Sequence, residues 1–187
     1  MVKGDFAMLS IAAALLFAQA ASATPAPTPT ATPTPRSAPC AAGEFRALDF
    51  WVGDWDVYPA RFPDRLVAHS KIEKLYDGCA IRENWMPLGG PGGGSLSGYD
   101  PATKRWHQTW IGQGGGVVQF EGGPVGGTMV LTGWWAGSGP NGEDGLTRMT
   151  YARLDGGAVR QHGEFSSDFG VSWVTTFDFT YRPHKGD

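Results

Sequence analysis

The sequence predicts an all-β fold, a single antiparallel up-and-down β-barrel of about ten strands. Short runs in which apolar and polar residues alternate recur along the chain, and glycine, proline, aspartate or asparagine separates them. No run keeps apolar residues at helical spacing over three turns. Tight turns join several runs as antiparallel neighbours, and closing such a meander into a barrel leaves no exposed edge. A β-sandwich is the structural alternative.

The predicted strands are rich in β-branched and aromatic residues, and turn-forming sequences end them. In chain order they are Trp51–Tyr58, Arg65–Tyr76, Cys79–Met86, Gly94–Tyr99, Arg105–Ile111, Val117–Glu121, Thr128–Trp135, Leu146–Leu154, Ala158–Phe165 and Val171–Arg182. The turn YDG follows the second strand, YDPATK the fourth and LDGG the eighth. The glycine-rich segments GGPGGG, GQGGG and GGPVGG follow other strands, and we expect them to form loops at the mouth of the barrel.

The chain before this domain has a different character. Residues 1–23 contain a lysine, an apolar run and the small residues Ala21 to Ala23, the pattern of a cleaved secretory signal peptide. An uncleaved anchor is the alternative, although the apolar run is too short to span a bilayer comfortably. Residues 24–39 alternate proline, threonine and alanine, which favours an extended linker. We therefore expect one domain at 40–187, located in the periplasm or secreted.

Cysteine usage and charge limit the partners of this domain. An oxidising compartment pairs thiols, so Cys40 and Cys79 are predicted to form a disulfide, with two free buried thiols as the alternative. The formal charge of −3 gives no basic footprint, which argues against a nucleic-acid partner. There is no second long apolar run, so we expect no membrane span in the mature chain. The oligomeric state is left open.

Alternation within each strand assigns the bulky side chains to one face, and we expect this face to point into the barrel. In the first strand, Trp55 and Val57 fall on the inward face and the aspartates on the outward face. Polar residues stand among the aromatic ones on the inward faces of later strands. The ligand-binding residues predicted in this way are Glu83, Trp85, Trp106, Gln108, Trp110, Arg148, Gln161 and Trp173.

These inward polar groups need partners, because a buried polar group without one costs roughly 1–3 kcal/mol. The sequence therefore predicts an interior that binds a small apolar or amphipathic molecule. A packed barrel without a ligand, containing an internal ion pair between Glu83 and Arg148, is one alternative. An isomerase or hydrolase that uses Glu83 as acid or base is another, because aromatic walls raise the pKa of a carboxyl group.

The stretch LDFWVGDWDV introduces a resemblance to a known superfamily. Gly53-Asp54-Trp55, near the start of an all-β domain, resembles the Gly-x-Trp signature of lipocalins and related calycin barrels. The resemblance implies that Trp55 packs at the closed end of the barrel beneath an arginine of the last strand, for which Arg182 is the match. Four segments, LDFWVGDWDV, YDGCAIRENW, GYDPATKRWHQTWI and QHGEFSSDFGVSW, are also similar to a family of exported bacterial domains of unknown function with a predicted lipocalin-like fold. That family has no established reaction or ligand.

Two further resemblances concern cofactors and catalysis. Nitrobindin-like haem barrels share an early Gly-x-Trp, and a haem-binding protein is therefore an alternative in which His162 would be the axial ligand. Alternation places His107 and His162 on the outward face, however, and the four histidines lack metal-ligand spacing, so we expect no metal or cofactor. The segment SSDFGVSW, Ser166 to Trp173, fits the Asp-box pattern of sialidase propellers. It occurs once, and we interpret it as a local turn.

Overall fold

The computed structural model describes residues 39–186, in which ten β-strands form one closed antiparallel barrel. Strands adjacent in sequence are adjacent in the barrel, and the first strand closes it by pairing with the last. The strands are β1 (Gly53–Pro59), β2 (Ala68–Leu75), β3 (Ala80–Pro87), β4 (Gly93–Asp100), β5 (Arg105–Gly112), β6 (Val117–Val125), β7 (Thr128–Trp135), β8 (Gly145–Arg153), β9 (Val159–Ser166) and β10 (Val174–Pro183). The predicted barrel is confirmed and the sandwich alternative is wrong.

Four short 3-10 turns, at Gly43–Arg46, Asp49–Trp51, Tyr76–Gly78 and Asp155–Gly157, complete the regular structure. None of the helices within residues 39–186 has the length and apolar character required to cross a membrane. The predicted signal peptide, 1–23, and all but the last residue of the predicted linker, 24–39, lie outside the described residues. Each glycine-rich segment is only partly a loop, because Gly93 and Gly94 belong to β4, Gly112 to β5 and Gly122 to Val125 to β6. GGPVGG is also not at the mouth, because Gly122 pairs with Trp106 at the end of the barrel that the N-terminal segment covers.

The segment before β1 covers one end of the barrel. Trp51 lies in a 3-10 turn, where the sequence predicted the start of a strand, and it is fully buried against the rings of Tyr151 and Tyr181 at 4.8 and 6.2 Å. The indole of Trp106 donates a hydrogen bond of 3.2 Å to the carbonyl of Glu44 in the same segment. Burying a large apolar side chain stabilises the fold by about 1.5–3 kcal/mol. The N-terminal segment, residues 40–52, therefore closes this end of the barrel. We call this segment the plug and this end the covered end.

The Gly-x-Trp resemblance implied a contact that the barrel does not make. Trp55 is buried as expected, and its indole donates to the carbonyl of Trp51 at 2.8 Å. Arg182 pairs opposite Asp56 on the outward face, and its guanidinium lies 4.4 Å from the ring of Tyr58. The expected packing of Arg182 on Trp55 is therefore wrong, because the two side chains are on opposite faces of the sheet.

The predicted disulfide is confirmed. Cys40 and Cys79 are bonded, with 5.0 Å between their Cα atoms, and no cysteine in the described chain is free. The bond joins the plug to the residue that immediately precedes β3. It therefore holds the N-terminal segment at the covered end of the barrel.

Candidate functional site: a cavity inside the barrel

A cavity of about 280 Å³ occupies the interior of the barrel. Seven strands contribute its lining, which is Glu83, Trp85, Gln108, Trp110, Phe120, Trp135, Met149, Tyr151, Gln161, Phe177, Phe179 and Tyr181. The half-buried Trp85, Trp110 and Trp135 stand near strand ends that lie away from the plug. The cavity thus has aromatic walls towards one end of the barrel and its polar groups deeper inside.

A glycine on β9 makes room for one of the aromatic walls. Gly163 pairs with Phe177 of β10, and a Cβ atom at Gly163 would lie 2.2 Å from the Phe177 ring. No real side chain tolerates such a contact without displacement of the ring. The small residue therefore allows Phe177 to fold over the inner surface of β9, where it stacks 5.5 Å from Phe179.

The polar residues of the cavity form a hydrogen-bonded chain that runs in one direction. The Tyr181 hydroxyl donates to Gln161 Oε1 at 2.6 Å, and Gln161 Nε2 donates to the Tyr151 hydroxyl at 3.1 Å. The Tyr151 hydroxyl contacts Gln108 Oε1 at 3.5 Å, and Gln108 Nε2 donates to Ser97 at 3.0 Å. Each phenol has one hydroxyl proton, and both protons already have acceptors inside the barrel, so neither tyrosine has a further proton to donate to a guest molecule.

Glu83 is the acidic group of the cavity. Its Oε2 accepts a hydrogen bond of 2.8 Å from Ser95, whereas Oε1 makes no hydrogen bond to any described residue. Burial raises the pKa of the Glu83 carboxyl group to about 7, and the hydrogen bond from Ser95 partly offsets this rise. Burial, together with the nearby charge of Glu83, also raises the pKa of the Tyr151 and Tyr181 hydroxyls. Glu83 thus changes charge near neutral pH, and both tyrosines stay protonated there.

The structure places the predicted site residues in three groups. Glu83, Trp85, Gln108, Trp110 and Gln161 line the cavity. Trp106 points inward and is buried as expected, but it lies at the covered end, where it contacts the plug and does not line the cavity. Arg148 and Trp173 lie on the outer surface, so their predicted inward facing is wrong.

Arg148 was assigned to the wrong face of β8. The inward residues of this strand are Thr147, Met149 and Tyr151, which are buried. Arg148 points outward, where it pairs with Glu164 at 2.9 Å. An internal Glu83–Arg148 ion pair is therefore wrong. The assignment failed because Leu146 lies on the same face as Arg148 and made that face look apolar. The interior is formed by the opposite face, which carries Met149 and Tyr151.

Trp173 was misassigned because the pairing of β10 is irregular. The register with β9 shifts between Thr175 and Phe177, so the alternation that holds for Phe177 does not continue back to Trp173. The Trp173 ring lies under the guanidinium of Arg148 at 4.1 Å, on the outer surface. On the same outer side of the shifted segment, the hydroxyl of Thr175 contacts Nε2 of His162 at 2.9 Å.

Several lining residues were missing from the prediction, and Tyr151 matters most among them. The alternation that placed Arg148 inside necessarily placed Tyr151 outside. A phenol two residues from Met149 on β8 was the available signal, because both are large side chains on one face. Trp135, Phe177 and Tyr181 also line the cavity, and sequence alternation alone did not separate them from wall residues without contact to the cavity.

The histidines and the Asp-box pattern lie outside the cavity. His107 is exposed, and His162 contacts Thr175 on the outer face, which confirms the outward prediction for both. None of the residues that line the cavity is a histidine. SSDFGVSW forms the β9–β10 turn, in which Ser172 and Ser166 donate hydrogen bonds of 2.6 and 2.7 Å to Asp168 and lower its pKa to about 2. The interpretation as a local turn agrees with this geometry.

Comparison with known proteins adds no relative to this description. A scan against protein-family models finds no family that matches the chain. A search of the curated proteins finds no match either. The resemblance to exported domains of unknown function therefore stays a prediction, and the geometry of the cavity carries the functional argument.

Proposed function

We propose that this protein is an exported binding protein that holds one small amphipathic molecule inside its barrel. The observation that carries the proposal is the combination of aromatic walls with a single carboxylate oxygen, Oε1 of Glu83, that makes no hydrogen bond within the described chain. Apolar cavities with a few convergent polar groups are the usual form of small-molecule sites. The guest would place its apolar body against the rings and its polar end at Glu83.

The size of the cavity supports a compact guest. At about 280 Å³ it is nearly twice as large as an apolar cavity of ~150 Å³ that holds benzene. It is also just below the range for small-molecule sites, about 300–1,000 Å³. A bicyclic molecule therefore fits the volume better than a long acyl chain does. The aromatic walls favour a flat ring system, because offset stacking adds to simple apolar burial.

The polar end of the guest should be a hydrogen-bond donor, such as a hydroxyl or an amine. Oε1 of Glu83 offers an acceptor when the carboxyl group is ionised, and Tyr151 and Tyr181 already use their protons inside the chain of hydrogen bonds. A carboxylate guest would place a second negative charge beside Glu83, which is unfavourable in a buried site. We therefore expect guests that carry a hydrogen-bond donor to bind more tightly than guests that lack one.

Export is supported by the disulfide and by the sequence pattern at the N-terminus. Disulfides such as Cys40–Cys79 persist mainly where thiols are oxidised, as in the periplasm or outside the cell, and are rare in the cytosol. The predicted signal peptide and the resemblance to exported lipocalin-like domains point to the same compartments. A barrel in such a compartment would meet small molecules that enter from the surroundings.

The proposal is tested by calorimetric titration with a matched set of bicyclic probes at pH 8. 2-Naphthol carries a donor, 2-methoxynaphthalene lacks one, and 2-naphthoate is anionic. We expect 2-naphthol to bind most tightly and the anion most weakly. Trp135→Ala should weaken the binding of 2-naphthol by roughly tenfold or more. Trp134→Ala is the matched control, because this neighbouring indole points outward and is 50% exposed.

Equal affinities for the three probes would contradict the assignment of Glu83 as the polar contact. Equal effects of Trp134→Ala and Trp135→Ala, or no binding of any probe, would contradict the cavity as the site. Equal affinities would leave an apolar binding cavity in which Glu83 makes no contact with the guest. Failure of the tryptophan comparison, or of all binding, would refute the proposed function.

A second candidate function is acid–base catalysis by Glu83, as in an isomerase that moves a proton beside a carbonyl group. The observation that favours it is a buried carboxyl group with a pKa of about 7, close to the value that suits proton transfer at neutral pH. The test is proton–deuterium exchange at the carbon next to the carbonyl of 2-tetralone, followed by NMR. Faster exchange that disappears in Glu83→Gln while binding persists would support catalysis, and unchanged exchange would exclude it for this class of substrate.

A further inference from the structure

Three side chains with metal-binding atoms converge on the outer surface of the barrel, away from the cavity. Nδ1 of His69 and Nδ1 of His184 each lie 2.8 Å from the same oxygen, Oδ1 of Asp56. The two imidazole rings are 5.6 Å apart and nearly perpendicular. One ligand atom from each of the three residues lies within 4.8 Å of the other two. Only 39% of each imidazole is exposed, and Asp56 is 19% exposed, so the cluster is partly shielded from water.

The sheet itself holds this cluster in place. Asp56 of β1 is directly opposite His69 of β2 in the pairing register. His184 follows β10, and its backbone N–H donates to the carbonyl of Asp54 at 2.9 Å, which prolongs the β10–β1 pairing beyond the end of the strand. The three residues thus come from three adjacent segments whose backbones are fixed by hydrogen bonds. A ligand that binds them has little backbone entropy to remove.

We propose that Asp56, His69 and His184 form a binding site for one divalent transition-metal ion. Two imidazole nitrogens and one carboxylate oxygen are a ligand set that suits copper, zinc or nickel and does not suit magnesium or calcium. Ligand atoms about 2.1 Å from an ion and at right angles to each other are about 3 Å apart. Both nitrogen–oxygen separations in the cluster, 2.8 Å, are close to that spacing. The ion would replace the two hydrogen bonds to Asp56 with small side-chain movements.

The surroundings of the cluster favour copper among these ions. Met86 is opposite His69 in the β2–β3 register, is 41% exposed and lines the same surface hollow as both histidines. Its thioether is a soft donor of the kind that Cu⁺ prefers, and Cu²⁺ binds imidazole and carboxylate ligands more tightly than Ni²⁺ or Zn²⁺ does. Asp54 lines the hollow as well and adds negative charge. Lys71 also lines the hollow, and its ammonium is 3.6 Å from the carboxylate of Glu73, which partly neutralises it.

Sequence spacing did not reveal this site, because its residues are far apart along the chain. His69 and His184 are separated by most of the domain, and neither forms a short metal-binding motif with another histidine. Only the closure of the barrel, in which β1 pairs with both β2 and β10, brings them to one carboxylate. The expectation of no metal rested on sequence spacing and on the facing of His107 and His162, neither of which reports contacts between distant strands. This site involves none of the residues that line the cavity, so it does not depend on the proposed function.

The test is isothermal titration of the full exported, oxidised protein with Cu²⁺, Zn²⁺ and Mg²⁺. We expect one strong site for Cu²⁺, weaker binding of Zn²⁺ and none of Mg²⁺. Removing an outer-sphere partner of a metal typically weakens affinity by roughly 10- to 100-fold, and loss of a direct ligand should cost at least as much. His69→Ala and His184→Ala should therefore each weaken Cu²⁺ binding by roughly tenfold or more. His107→Ala, an exposed histidine on another strand, is the matched control.

Two further measurements distinguish the loss of a metal ligand from the loss of folding. The electron paramagnetic resonance spectrum of the Cu²⁺ complex should show nitrogen ligands that are lost in the His69 and His184 variants. Thermal melts without metal should show that both variants remain folded. If the affinity of the folded variants equals that of His107→Ala, or if the wild-type protein binds no Cu²⁺ in this way, the proposal is overturned.

Discussion

Ser95 donates a hydrogen bond of 2.8 Å to Oε2 of Glu83, and each of the two residues is only 5% exposed. This neutral hydroxyl is the one hydrogen-bond partner that the Glu83 carboxyl group has within the described chain, and a single neutral donor cannot replace the hydration of a carboxylate. The pKa of Glu83 is therefore raised to about 7. The polar end of the cavity carries a proton in mild acid and a negative charge above neutral pH.

Stability should fall as the pH rises through this range. Between the ordinary carboxyl pKa of 4.5 and the raised pKa of about 7, the folded protein binds more protons than the unfolded chain. The free energy of unfolding therefore decreases from pH 4.5 to 7, by about 3 kcal/mol for this group. Urea unfolding of wild type and Glu83→Gln at pH 5 and pH 8 measures the effect. The difference between the two proteins isolates the contribution of the Glu83 carboxyl group.

Glu83→Gln should remove most of this slope, while Glu121→Gln, an exposed carboxylate on β6, should keep it. If wild type and Glu83→Gln lose the same stability between pH 5 and pH 8, the buried-acid account of Glu83 is incorrect.

Gly163→Ala should distort the wall of the cavity. The new methyl group would lie 2.2 Å from the Phe177 ring, which would have to move. Overpacking of this kind typically costs 1–3 kcal/mol, so we expect a loss of about 2 kcal/mol in the free energy of unfolding. Gly123→Ala is the control, because nothing lies within 4 Å of its added Cβ atom. Equal urea midpoints for the two variants would show that Phe177 does not occupy this position.

Removal of the disulfide should weaken the fold without abolishing it. The bond joins residues 39 positions apart, and chain entropy for a loop of this length is worth about 4 kcal/mol. We expect Cys40→Ala/Cys79→Ala to unfold at lower urea but to keep its strand content by circular dichroism, because all ten strands pair without the bond. An unfolded double variant, or one with wild-type stability, would contradict this expectation.

Arg148→Ala should affect stability slightly and ligand binding not at all. On the outer surface the side chain loses a partly exposed ion pair with Glu164 and a cation–π contact with Trp173. Together these are worth about 1 kcal/mol. Arg105→Ala, whose ion pair with Glu121 is more exposed, should cost less. A strong loss of probe affinity in Arg148→Ala alone would place this residue back inside the barrel.

The sequence predicted the strands well because each one is a short alternating run that ends at a turn. All ten runs correspond to strands, with differences confined to their ends. The facing of β8 was ambiguous, since Leu146 on one face and Met149 with Tyr151 on the other are all bulky. Burial depends on what the rest of the barrel presents to each face, and alternation within one strand carries no such information.

Two other differences have physical causes that a single strand cannot reveal. The shifted register before Phe177 inverts the facing of Trp173, and a local change of this kind has no distinct sequence signal in VSWVTTF. The meeting of Asp56, His69 and His184 depends on barrel closure, which pairs the first strand with the last. Alternation correctly placed Glu83, Trp85, Gln108, Trp110 and Gln161 in the cavity wall, whereas the facing of Trp173 and the outer cluster depend on how the strands pair.

The central claim, that the cavity is the ligand-binding site, is tested most directly by NMR of the eight tryptophan indole N–H groups. Trp85, Trp110 and Trp135 line the cavity, whereas Trp134 and Trp173 lie on the outer surface. We predict that titration with 2-naphthol shifts or broadens the signals of the first three and leaves the last two unchanged. Shifts confined to Trp134 and Trp173, or no shift at saturating probe, would contradict the claim.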